Sequence, residues 1–192
     1  MQNYLTLMML KYVKLICVFV LFILSTGAVK AQGYRQLTAD DFTGQVPAGS
    51  GFYVAHTSCN VTMRYNVQSY RSNYRLTFYI PLVFNPERSW INRKMIRNDE
   101  MMDEVLHHEQ GHYVIAFLMQ QELIRELNAF HYTGDYQRQA NNIFNRIDEK
   151  YRRMNAAYDS ETMHMQDRKQ QANWTAYLDR QLQESNRLVM NN

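Results

Sequence analysis

From Val61 the chain alternates between apolar and polar positions. Val61, Met63, Tyr65 and Val67 form one such run, and Tyr74, Leu76, Phe78, Ile80, Leu82 and Phe84 form a second. A period of two marks half-buried strands, and "SYRSNY" between the runs predicts a hairpin connection. Pro81 has no N–H to give to a ladder, which places the second strand at a sheet edge. Ahead of these runs, Gly44, Pro47, Gly49 and Gly51 punctuate a turn-rich stretch.

Past Asn98 the apolar spacing lengthens to three and four. Asn98 or Asp99 can cap a first helix reaching about Asn128, and Asp99, Glu100, Asp103 and Glu104 suit its positive end. Within it "YVIAFLM" is apolar at every position, so this helix is expected to be buried on all sides. "HYTGDY" turns the chain. Asp135 then caps a second helix, in which Ala140, Ile143, Ile147, Tyr151 and Tyr158 keep the rhythm. A third runs from about Met163 to Leu188, with Trp174, Tyr177 and Leu178 on one face. Antiparallel strands first and helices after predict an α+β fold.

The N-terminus changes the composition. Lys11 and Lys14 precede "LICVFVLFIL", residues 15–24, and small residues follow with a Val29-x-Ala31 step. This is the pattern of a secretory signal peptide over residues 1–31, with cleavage after Ala31. The apolar run is too short to span a bilayer comfortably. A secreted or periplasmic protein is expected, without stable membrane insertion after signal removal, and with residues 32–192 as one domain. Taking Lys11, Lys14 and Lys30 from 21 basic residues leaves 18, against 18 acidic. A formally neutral chain gives no charge-based case for nucleic acid. Cys59 is then the only cysteine, so stability must come from packing or a bound metal.

The chemistry concentrates in "HHEQGH", residues 107–112. His108 and His112 lie four apart, on the same side of a helix, where two imidazoles can converge on one Zn²⁺. Glu109 sits beside them around the helix and can act as a base without ligating. Gly111 costs about 1 kcal/mol in a helix interior relative to Ala, so it needs a packing or functional reason. His107 points away from the pair.

A catalytic zinc takes three protein ligands. Leu118 stands where an extended H-E-x-x-H-x-x-G-x-x-H pattern needs its last histidine, and Glu122 lies about 15 Å along the helix from His112. The third ligand therefore comes from another element. His131, Asp135, Asp148, Glu149, Asp159, Glu161 and His164 are the candidates, with the densest group in "YDSETMHMQDRKQQANW", residues 158–174.

The chain resembles a bacterial family of predicted secreted zinc-dependent proteases, DUF922. The likeness rests on "LTADDFTG", "SW" before the helix, "HEQGH", "YDSETMH" and the Asn-Trp that follows. The resemblance implies a zincin-like fold, with His164 as third ligand and Asp159 orienting the ligands from outside. Met165 departs from the small residue that such relatives carry after the histidine.

These readings together predict metal-assisted hydrolysis of a protein or peptide substrate. Zn²⁺ is held by His108, His112 and His164, Glu109 moves the proton, and Tyr158 or Tyr113 serves as a second electrophile. The edge strand at 74–84 is a place for an extended substrate. Two other classes stay open: an envelope binding or scaffolding protein with non-catalytic zinc, and a peptidoglycan amide hydrolase. The oligomeric state is not legible.

Overall fold

The computed structural model describes residues 34–190, and the expected signal over residues 1–31 lies outside them. The strands belong to one long antiparallel ribbon. It rises through β1 (Ala55–His56), β2 (Cys59–Val61) and β3 (Arg64–Tyr70). It returns through β4 (Asn73–Tyr79), β5 (Leu82–Phe84) and β6 (Trp90–Ile91). The pairs are β3 with β4, β2 with β5 and β1 with β6, each a two-stranded ladder. The expected hairpin turns at Arg71 and Ser72, whose φ values of 46° and 69° are those of a turn matching the strand twist.

The alternating run at 74–84, continuous in sequence, breaks in the structure. Ile80 and Pro81 separate β4 from β5, although the Pro81 carbonyl still accepts from Thr62 N at 3.3 Å. Gln120 Nε2 donates to the Ile80 carbonyl at 2.8 Å and satisfies the chain at the break. Without an N–H, Pro81 cannot continue the ladder, and the helix behind it supplies the missing partner.

Three helices follow: α1 (Asp99–Ala129), α2 (Tyr136–Thr162) and α3 (Arg168–Met190). The Asn98 side chain caps α1 by accepting from Met101 N at 3.0 Å. Asp135 precedes α2 but makes no side-chain cap; it pairs with Arg138 instead. The third helix begins later than the sequence pattern suggests, because Met163, His164 and Met165 all have left-handed φ. The arrangement is α+β, with short antiparallel strands followed by three helices. Among the described residues no helix is long and apolar enough to cross a membrane.

Helix α1 is the hub. On one side Leu118, Leu123 and Leu127 pack with Ile143, Ile147 and Tyr151 of α2 and Leu178 of α3. On the other, Val105, Tyr113 and Phe117 meet Leu82 and Phe84 of β5, with Leu37 and Phe42 from the N-terminal segment. Fully burying each such side chain contributes about 1.5–3 kcal/mol. The buried Gln110 anchors that segment: its Oε1 accepts from Leu37 N at 2.7 Å and its Nε2 donates to Arg35 O at 3.1 Å.

Gly111 has a packing reason. A Cβ placed there would lie 2.3 Å from the hydroxyl of Tyr158 and 2.5 Å from its Cζ, so only glycine admits the α2 ring this close to α1. Gly111→Ala is expected to destabilise by about 1–3 kcal/mol through overpacking, despite alanine's better helix propensity. Urea unfolding checks this. With Tyr158 replaced by Ala, the same glycine substitution should become neutral or stabilising, because the obstructing ring is gone.

Candidate metal centre

Helices α1 and α2 meet at one carboxylate. Asp159 Oδ1 lies 3.3 Å from His108 Nε2 and 3.1 Å from His112 Nε2. His108, His112 and Asp159 form a candidate metal-binding group whose ligand atoms all lie within 4.8 Å of one another. His108 is buried and His112 nearly so, while Asp159 is partly exposed.

The hydrogen bonds behind the rings fix their tautomers. The Tyr158 hydroxyl donates to the His108 carbonyl at 3.0 Å, so it must accept from Gln171, whose Nε2 lies 2.8 Å away. That orientation turns Gln171 Oε1 towards His108 Nδ1 at 3.0 Å, and an amide oxygen can only accept. His108 Nδ1 therefore carries its proton. His112 Nδ1 faces Asn155 Oδ1 at 2.7 Å and by the same reasoning donates. Both Nε2 atoms are left with lone pairs aimed at a carboxylate oxygen. Three electron-rich atoms so close repel one another unless positive charge sits among them. This donor set fits a divalent metal, with amide carbonyls orienting the two histidines.

Without a cation, the charges polarise one another. Burial opposes ionisation of Asp159, but hydrogen bonds from His108 and His112, with the charges of His112 and His164, hold its carboxyl far below the ordinary range. Burial likewise opposes charge on His112. The hydrogen bond to Asp159, the Glu109 and Asp159 carboxylates and Asn155 outweigh it and raise its pKa.

Glu109 lies next to the pair and is buried. Among the described residues its Oε2 is the buried side-chain oxygen without a hydrogen-bond partner. It lines a cavity of about 120 Å³ together with His108, His112, Asp159 and His164, closed on the far side by Tyr53 to Thr57. The Thr57 hydroxyl donates to the Glu109 carbonyl at 3.3 Å, which ties the chain just after β1 to α1.

His164, the expected third ligand, stands beside the group and outside it. Its Nδ1 is 3.2 Å from the same Asp159 oxygen, and its side chain is 46 % exposed. His164 N bonds back to Asp159 O at 3.0 Å, closing α2 with a left-handed turn. Three successive non-glycine residues with φ of 48°, 50° and 75° store strain there. The Tyr53 ring braces His164 edge-on, with centroids 4.9 Å apart.

Other expected residues are placed elsewhere. Tyr158 is fully buried, stacks on His108 at 4.7 Å, and has its hydroxyl engaged behind that ring, away from the cavity. Tyr113 belongs to the core on the opposite side of α1. Glu161 accepts from Trp174 Nε1, and Asp148 and Glu149 pair with Arg152 and Arg153. His107 meets Thr175 Oγ1 at 2.7 Å. The strand beside the cavity is β1, in place of the run at 74–84. Burial pushes the Cys59 thiol up to about 12, as expected of a packed cysteine. Asn155, Gln171, Thr57 and Tyr53 had no role assigned from sequence. Asn155 was findable, because it lies one turn before Asp159 on the same helical face; nothing local marks Gln171.

A sequence profile for a bacterial protein family of unknown function (DUF922) matches residues 27–165. The chain belongs to this family. No curated protein and no solved structure matches it.

The two shifted groups set a pH window for the chelator-treated protein. The raised His112 pKa gives stability that is present below about 6.5 and lost as pH rises through the folded value. The lowered Asp159 pKa gives stability present above about 3.9 and lost on acidification. Thermal unfolding of the chelated protein should therefore shift down between pH 6 and pH 8, and a divalent metal occupying the deprotonated imidazoles would cancel the shift.

Proposed function

We propose that this member of the DUF922 family is an exported, zinc-dependent peptidase on a zincin-like fold. The observation that carries the reading is the convergence of two oriented imidazole lone pairs and one carboxylate beside a buried, unpartnered glutamate. Zinc bonds of about 2.0–2.1 Å in a tetrahedral site place ligand atoms roughly 3.3 Å apart. The 3.1 and 3.3 Å separations of Asp159 Oδ1 from the two histidines suit that spacing. On this reading His108, His112 and Asp159 hold the ion, and His164 steadies Asp159 from the rim, an exchange of the roles expected from the family resemblance. Zinc supplies Lewis acidity to a carbonyl oxygen and to water.

The chain's own groups do the rest. Glu109 takes a proton from the attacking water at Oε2 and returns it to the leaving amine. Val54 O accepts from Asn92 N, Ser58 O accepts from Asn85 N, and Thr62 N donates to Pro81 O on the returning strand. The intervening backbone groups of Ala55, Cys59 and Val61 therefore turn outward, where an extended peptide can pair. Tyr158 acts by holding His108 in place. A purely structural ion would have no use for the unpartnered Glu109 carboxylate, which favours hydrolysis over a scaffolding role. The N-terminal signal pattern supports export.

Metal analysis of the purified protein should return about one zinc per chain. Asp159→Ala should lose most of it and His164→Ala much less; the reverse pattern would give His164 the ligand position. Glu109→Gln should keep its zinc while cleavage of an unfolded protein falls by about 10²–10⁴-fold. A wild-type protein that neither carries nor takes up zinc would sink the reading.

A further inference from the structure

The cavity at the metal centre is small, yet it does not end at His112. Thr57, His112, Asn155 and Asp159 also line a second, wider trough of about 680 Å³, between β2 and the outer face of α2. That volume falls among pockets that enclose sizeable ligands. One side of the trough is the outer edge of β2, which pairs with no other strand among the described residues and where the backbone groups of Cys59 and Val61 turn away from β5. The opposite wall carries Asp148 and Glu149 matched to Arg152 at 3.9 Å and Arg153 at 3.3 Å. This wall presents charges of both signs in equal number, so it carries no net charge that selects a charged side chain.

The floor is apolar and is set by helical spacing. His108, His112 and Ala116 follow one another at intervals of four on one face of α1, so Ala116 lies about 6 Å beyond His112. Ile115, Met119 and Val61 surround it. Every neighbour in "YVIAFLM" is larger and buried, whereas Ala116 is half-buried. The smallest side chain of the run thus stands where the ligand face of the helix becomes the floor of the trough.

We propose that the trough binds a segment of unfolded polypeptide in extended form, its backbone on the outer edge of β2 and a large apolar side chain over Ala116. This rests on the peptidase reading for its purpose, but binding can be tested apart from cleavage. The probe is fluorescein-labelled, reduced and carboxymethylated lysozyme, followed by anisotropy against zinc-loaded Glu109→Gln protein. Binding of this unfolded chain, absence of binding by native lysozyme, and at least tenfold weakening by Ala116→Phe at unchanged zinc content are expected. Acetylated, amidated glycine-rich hexapeptides with one central Leu, Ala or Asp test the unaltered floor, and Leu should bind at least tenfold tighter than Asp. No binding of the unfolded chain, equal binding by a folded Ala116→Phe variant, or no ranking among the peptides overturns the proposal. Cleavage by wild type is scored on the same probe. Binding without cleavage removes the peptidase reading and leaves the trough; cleavage with binding indifferent to Ala116 does the opposite.

Discussion

The approach of α2 to α1 at Gly111 is the constraint on which the centre depends. The Tyr158 ring occupies the space of a missing Cβ, and its hydroxyl reaches the backbone of His108. That single contact sets the distance between the helices. Asn155 and Asp159, one turn apart on α2, come within hydrogen-bond range of the two histidines only because the ring can lie so low. Gln171 of α3 then closes the circuit by joining Tyr158 to His108. A larger residue at 111 would disturb tautomers as well as packing.

Much of this was legible in the sequence. The period-two runs marked the ribbon, and its Arg71–Ser72 turn fell inside the predicted connection. The unbroken apolar stretch after His112 marked α1 as the hub, buried on both sides. The His108-Glu109-x-x-His112 spacing and the isolated Gly111 marked the centre, because helical geometry alone puts those side chains on neighbouring faces. What escaped depends on contacts distant in sequence. No local pattern says that the run at 74–84 breaks at Ile80, because its remedy, Gln120, comes from a helix forty residues away. The delayed start of α3 and the placing of His164 beside Asp159 both follow from a left-handed turn that local propensity disfavours.

That turn is the costliest piece of backbone near the centre. Three β-carbon-bearing residues in left-handed geometry are tolerated where surroundings over-determine them. Here the Schellman-type bond to Asp159 O, the packing of Met165 into the second core and the Tyr53 brace supply that determination. The strained residues sit next to the carboxylate that His108, His112 and His164 all address, so a strained stretch of backbone borders the most polar part of the centre.

The hydrogen bonds that orient the two histidines join residues 63 and 43 positions apart in the chain. Loops of that length close late, after the local helical turns have formed. A chain still unfolded carries every donor of the centre, but each imidazole is free to adopt either tautomer and no carboxylate stands opposite. The arrangement of donors is thus a property of completed topology: it comes into being with the last docking of the helices and disappears with the first undocking. The late assembly of the centre is built into the distances along the sequence.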